Sequence, residues 1–137
     1  MTDYEKPLPE IGEENGPFWE GTRNEQLLLQ RCTSCAHLRY PVSRYCPECL
    51  EEGHEWTAVS GRGEVYSSIV FHQTYDKAFA GDVPYNVSLI QLDEGPRMFS
   101  NVVGLPPDEV RVGDRVRVVF DPVTEQVTLP RFTREQP

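Results

Sequence analysis

The 137-residue chain contains four cysteines, and all of them fall in two Cys-x-x-Cys pairs, Cys32/Cys35 and Cys46/Cys49, with ten residues between the pairs. No other feature restricts its folding so tightly. A tetrahedral metal held by thiolates needs four sulfurs about 2.3 Å from one point. Each Cys-x-x-Cys turn presents two, so two such turns on facing hairpins close a site. The segment from Ala36 to Tyr45 is long enough for the chain to return. The expected unit is a structural zinc ribbon, one zinc per chain, ligated by Cys32, Cys35, Cys46 and Cys49. An iron centre of rubredoxin type uses the same donors and stands as the alternative. Four protein ligands leave no position for a metal-bound water, so the metal is expected to be structural. Ala36 and Leu50 follow the second cysteine of each pair where glycine would relieve a left-handed turn, so strained knuckles are expected if φ is positive there.

Charge narrows the partners. The formal net charge is -9, from 13 basic against 22 acidic residues. Residues 31–50 are the basic island, with Arg31, Arg39 and Arg44 against Glu48. Four thiolates around a divalent ion carry a formal charge of about -2, so the first role of these arginines is charge compensation; a functional basic patch is the sharper reading. The overall acidity disfavours nucleic acid and anionic membranes. No apolar run approaches the roughly 20 residues of a membrane span. The acidic N-terminal stretch, with Asp3, Glu5, Glu10, Glu13 and Glu14, is the opposite of a signal peptide. A cytoplasmic protein is expected, and in that setting two disulfides are an improbable use of the cysteines.

Residues 1–14 read as a loose arm. Asn15 is placed to cap a short helix with Pro17 in its first turn, running to about Arg23, and Phe18-Trp19 is too apolar for a free tail. Leu27-Leu28-Leu29 enters the cysteine segment as a strand. Beyond Trp56 the pattern becomes β: after the turn Gly61-Arg62-Gly63, residues Glu64 to His72 alternate so that Val65, Ser67, Ile69 and Phe71 share a face. A loop of residues 73–84 follows. Further strands are expected over 85–92, 97–103, 115–120 and 126–132, with a hairpin turn at Asp93-Glu94-Gly95-Pro96. Five short antiparallel strands in roughly 75 residues suit a small closed barrel of the OB type, with an SH3-like barrel as the alternative connectivity. The expected chain is therefore mainly β: arm and short helix over 1–25, zinc ribbon over 26–56, and a five-stranded OB-fold-like barrel over 57–137.

A self-contained catalytic centre is not visible. His37, His54 and His72 form no motif and read as surface or structural residues, and no phosphate-binding glycine loop, nucleophile elbow or His-Glu-x-x-His occurs. The aromatics Tyr75 and Phe79 in the long loop, Tyr85 after it, and Phe18-Trp19 have two readings: they cap the protein's own core, or they contact a partner or ligand.

Phe18-Trp19-Glu20-Gly21, Leu29-Gln30-Arg31-Cys32-x-x-Cys35, Cys46-Pro47-x-Cys49, Pro84-Tyr85 and Leu92-Asp93-Glu94-Gly95 occur here in order. Together they closely resemble the OB-fold proteins with an N-terminal rubredoxin-like zinc ribbon, long catalogued as a domain of unknown function. The resemblance covers about residues 17–133; the missing glycines at Ala36 and Leu50 depart from it. It implies a noncatalytic accessory subunit for a thiolase-superfamily enzyme, such as a thiolase, a hydroxymethylglutaryl-CoA synthase or an aldolase of steroid side-chain degradation. It further implies a place in acyl-CoA and lipid metabolism, with acyl-CoA a ligand of the complex. The alternatives are a nucleic-acid-binding OB module, opposed by the charge, and a rubredoxin-like electron-transfer protein.

Overall fold

The computed structural model describes residues 9–72 and 84–135. Its first element, α1 (Gly16–Arg23), begins where expected. Asn15 spends its side chain on the arm rather than the helix, accepting from the Gly12 N–H at 2.7 Å and donating to the Glu10 carbonyl at 2.8 Å. The helix ends as Glu25 turns to φ 59° and the Gln26 N–H reaches back to the Gly21 carbonyl at 2.8 Å. Gly21 lets α1 lie close to the next strand, since a Cβ there would stand 2.9 Å from Leu28 Cγ.

The ribbon sheet has the order β2-β1-β3, built from β1 (Leu27–Cys32), β2 (Leu38–Arg39) and β3 (His54–Val59), all antiparallel. The sequence reading had no strand over 54–59; β3 pairs with β1 along its whole length, from Leu27↔Val59 to Cys32↔His54. Gly61, at φ 74°, then turns the chain into the barrel, where a side chain would strike Val118.

The barrel contains β4 (Arg62–Phe71), β5 (Tyr85–Leu92), β6 (Arg97–Ser100), β7 (Val102–Val103), β8 (Arg115–Pro122) and β9 (Thr128–Arg134), in the order β6-β5-β4-β8-β9-β7. β6 and β7 are two pieces of the single strand expected over 97–103. β6 pairs with β5, whereas β7 pairs in parallel with β9, so this one run of chain closes the barrel. Asn86 makes the switch possible. Its side chain accepts from the Val102 N–H at 2.9 Å and donates to the Val102 carbonyl at 2.7 Å, replacing the ladder bonds that β7 gives up by leaving β5.

The face expected for β4 needs correction. Val65 opposes Ile90, but Ser67 opposes Leu89, so Tyr66 is an extra residue in a bulge. Beyond it the faces exchange. Ser68 turns inward with its hydroxyl 2.9 Å from that of Ser88, and Ile69 turns outward, 55% exposed. Val65 is buried, whereas Ser67, Ile69 and Phe71 leave its face. Ribbon and barrel nevertheless share one core: Phe18, Leu27, Leu29 and Leu38 are continuous with Val65, Ile90, Met98, Val116 and Phe132. Glu94 pins the joint by accepting from the Ser60 N–H at 2.8 Å.

Candidate functional site

The two cysteine pairs are near-copies of one turn. In the first, the Cys32 N–H donates to the His37 carbonyl at 2.9 Å and the Ala36 N–H donates to the Cys32 carbonyl at 2.9 Å. In the second, the Cys46 N–H donates to the Glu51 carbonyl at 2.9 Å and the Leu50 N–H to the Cys46 carbonyl at 2.8 Å. Ala36 and Leu50 both stand at φ 67°, so the strain anticipated at the missing glycines is present at both knuckles.

These turns bring all four sulfurs within 4.8 Å of one another. Cys32 and Cys49 are 3.5 Å apart, and Cys35 and Cys46 are 3.6 Å apart. Four sulfurs about 2.3 Å from a common ion stand roughly 3.8 Å from each other, so the arrangement fits a tetrahedral metal. All four cysteines are free rather than disulfide-bonded.

The protonation pattern also suits a cation. The backbone N–H of Cys35, helped by that of Ser34, brings the Cys32 thiol down to about 6. Cys46 is lowered: burial opposes its ionisation, but the N–H groups of Cys49 and Glu48 outweigh it. The Glu51 N–H favours ionisation of Cys49, yet burial and the other three sulfurs push it up to about 12. Cys35 is likewise raised: the His37 N–H favours its thiolate, but burial and the sulfurs of Cys46 and Cys32 win. Without a metal the thiols hold one another back; a divalent ion removes that repulsion.

The three arginines of the basic island have separate fates. Arg31 donates to the Ala36 carbonyl at 3.2 Å, bracing the first knuckle. Arg44 is exposed and paired with Glu52 at 3.0 Å. Arg39 is only 3% exposed; its Nε donates to Gln30 Oε1 at 3.4 Å and its Nη2 to the Glu52 carbonyl at 3.2 Å, while Nη1 has no partner. No carboxylate is among the buried polar residues described. A buried guanidinium with only neutral acceptors favours negative charge nearby, and its bond to the Glu52 carbonyl, three residues beyond Cys49, ties Arg39 to the second knuckle, whose thiolates carry such charge when metallated. These placements favour compensation and bracing over a free basic patch.

Phe18 is core, 3% exposed and edge-on to Trp19 at 4.9 Å; Trp19 itself is half-buried. Tyr85 stacks on Phe71 with ring centroids 5.2 Å apart. Tyr75 and Phe79 lie outside the described residues. His54 and His72 are exposed and His37 is half-buried. Sequence reasoning missed Gln30, a buried residue whose Oε1 accepts from the Ser43 N–H at 2.8 Å and from Arg39, tying the loop before the second knuckle to β1. Its place beside Arg31 in an apolar strand was the available signal.

Among the described residues, two clefts adjoin the ribbon. The larger, about 330 Å³, has Glu13, Glu14, Glu52, His54 and Trp56 in its wall; the other, about 240 Å³, lies where His37 and Tyr40 face Glu94 and Pro96. The first cleft also holds Arg44, but that cation is paired with Glu52 and outnumbered by three carboxylates, so the wall disfavours a phosphate-bearing ligand such as CoA; the second is below the usual size of a ligand pocket. No helix among the described residues is long and apolar enough to cross a membrane.

Comparison with known proteins gives two family matches along the chain. Residues 19–55 match the ChsH2 rubredoxin-like zinc ribbon domain, and residues 56–121 match the ChsH2 C-terminal OB-fold domain. The chain is 35% identical over 127 residues to a probable enoyl-CoA hydratase alpha subunit of Thermomonospora curvata, covering 93% of this chain and 39% of that one. It thus spans about two fifths of that relative. A DUF35 domain-containing scaffold protein of Methanothermobacter thermautotrophicus is 35% identical over 97 residues, 70% of this chain and 72% of that protein. Among solved structures, a chain of the Ltp2-ChsH2(DUF35) aldolase superposes with a TM-score of 0.83 at 35% identity, covering 93% of this chain and 98% of that one.

Proposed function

The chain belongs to the ChsH2/DUF35 family of zinc-ribbon and OB-fold proteins, and from that membership we propose that it is a noncatalytic subunit that binds and supports a thiolase-like enzyme acting on acyl-CoA thioesters. The observation that carries this reading is the closed cysteine centre within a ribbon that shares its core with the barrel. Cys32, Cys35, Cys46 and Cys49 hold one zinc, which supplies a tetrahedral cross-link and no open coordination position. The names of the relatives support an acyl-CoA enzyme as partner, among them a hydratase alpha subunit, a scaffold protein and an aldolase. A thiolase or aldolase of lipid or steroid side-chain degradation is the specific form that the sequence motifs suggest. Acyl-CoA belongs to the complex as its ligand, and the carboxylate-rimmed cleft supports leaving the CoA phosphates to the partner. Trp19, Tyr75, Phe79 and Tyr85 remain in the proposed contact set. Free thiols suit the reducing cytoplasm.

Purification of the tagged chain from its native host tests the proposal. An acyl-CoA enzyme should co-elute in stoichiometric amount with one zinc per chain, and the chain by itself should not turn over acyl-CoA thioesters. Turnover by the pure chain that His37→Ala or His72→Ala abolishes would overturn the noncatalytic assignment.

A further inference from the structure

The bulge at Tyr66 leaves an apolar face that the sequence pattern concealed. Along β5 the buried residues alternate with half-buried ones, so Val87 and Leu89 point away from the barrel interior. Ile69 lies directly opposite Val87, and Phe99 directly opposite Leu89. Ile69 is 55% exposed and Phe99 is 70% exposed. Large apolar side chains standing side by side in water on three adjacent strands are unusual for a lone domain.

Charge identifies the occupant. Arg97 is the cation at the end of this face, and its guanidinium lies 3.8 Å from the centre of the Tyr66 ring while its Nε donates to Gln91 Oε1 at 2.7 Å. Among the described residues of this face, Arg97 is a single cation already engaged by Tyr66 and Gln91, which offers little to the phosphates of a nucleic acid or of CoA, although this side of an OB barrel is the one that binds oligonucleotides in other proteins. A second copy is opposed as well, because it would bring a formal charge of -9 against -9. Three strands of about six residues present roughly 300 Å². A stable complex covers about 800 Å² on each side, so the face supplies the apolar centre of a larger interface. A partner with an apolar patch ringed by basic residues complements both the face and the acidic chain around it.

We infer that the outer face of β4, β5 and β6, centred on Ile69, Leu89 and Phe99, is where the acyl-CoA enzyme subunit docks. This rests on the function proposed above and adds the surface that performs it.

The test uses the full-length chain and the acyl-CoA enzyme that co-purifies with it. Ile69→Ser and Phe99→Ser alter exposed positions, so zinc content and the circular dichroism spectrum should be unchanged, and Val112→Ser, on an exposed turn, serves as the control. Each face variant should bind the enzyme about 30-fold more weakly, the size of a truncated interface anchor, while the control binds normally. Hydrogen exchange in β4, β5 and β6 should slow in the wild-type complex. Wild-type affinity in both face variants would overturn this inference and leave the proposed function standing. The inference would also fall if wild-type chain sedimented as a dimer that Phe99→Ser dissociates. Failure of any acyl-CoA enzyme to associate with wild-type chain would remove the proposed function, and the docking surface with it.

Discussion

In the ribbon, β2 is two residues long and the knuckles hold two non-glycine residues at φ 67°; in the barrel, β4 runs for ten residues and Val65, Ile90, Val116 and Phe132 are all fully buried. The first region has too little sheet and too few apolar side chains to offset its strain and its buried arginine. A cross-link between its two turns must do that. The second gets its shape from hydrogen bonds that close a sheet on itself and from side chains inside. The contrast shows two solutions to one problem in a small chain: where burial is scarce a metal substitutes for it, and where burial suffices none is needed.

Metal removal bears on that contrast most heavily. Structural zinc contributes on the order of 10 kcal/mol in small domains, so chelation, or Cys46→Ser, should unfold the ribbon. Amide exchange should show protection lost over 27–39 and 54–59 and retained over 62–71 and 115–134. The shared core predicts a lower melting temperature for the remaining barrel. Simultaneous loss of protection everywhere would show instead that the two regions form one cooperative unit.

The corresponding weak point of the barrel is Asn86. Asn86→Leu leaves the buried N–H and carbonyl of Val102 without partners, at roughly 1–3 kcal/mol each. Urea titration should show a loss of about 3 kcal/mol with zinc content unchanged. An equal loss of zinc would mean that barrel closure, rather than the metal, organises the ribbon.

The metal site should respond to acid far more steeply than the barrel does. Cys49, pushed up to about 12, and Cys35, raised above the ordinary thiol value, are both protonated in the metal-free protein at neutral pH. A divalent ion must displace at least those two protons. Chelator competition should therefore show affinity falling at least about a hundredfold for each pH unit below 7, and more steeply once Cys32, at about 6, also takes up its proton. Arg39→Met gives a smaller effect in the same assay: loss of the buried counter-charge should weaken zinc binding about tenfold.

The cysteine centre was legible because spacing alone determines which sulfurs can converge, and Ala36 and Leu50 announced their strain by not being glycine. The helix, β1 and the hairpin at residues 93–96 were legible from local signals: Asn15 and Pro17, a leucine run, and Asp-Glu-Gly-Pro. What local pattern missed depends on long-range partners. The bulge at Tyr66 is decided by how β4 aligns with β5, and nothing in alternation marks it. The break of the third barrel strand is decided by Asn86, fifteen residues before Asn101. β3 was missed because His54, Glu55 and Thr57 dilute its apolar signal, and its strand character comes from pairing with β1.

The smallest expected effect concerns a surface pin on the barrel. Arg115 donates to both carboxylate oxygens of Asp93, at 2.9 and 2.8 Å, joining the β5–β6 turn to the start of β8. This bond holds the Asp93 carboxyl below the usual carboxylate range. A depressed value of this kind stabilises the fold fully at pH values above the unfolded carboxylate range, and the contribution disappears as pH falls through the folded value. Both side chains are nearly half exposed, at 47% and 43%, so water and salt screen the pair and its worth at neutral pH is below about 1 kcal/mol. Asp93→Asn should therefore lower stability slightly at pH 7 in low salt, and the difference from wild type should vanish both in acid and in strong salt. Urea titrations across those conditions check it. A loss as large as that of Asn86→Leu would mean that the barrel relies on pins at its turns as the ribbon relies on its metal, and the contrast between the two regions would narrow accordingly.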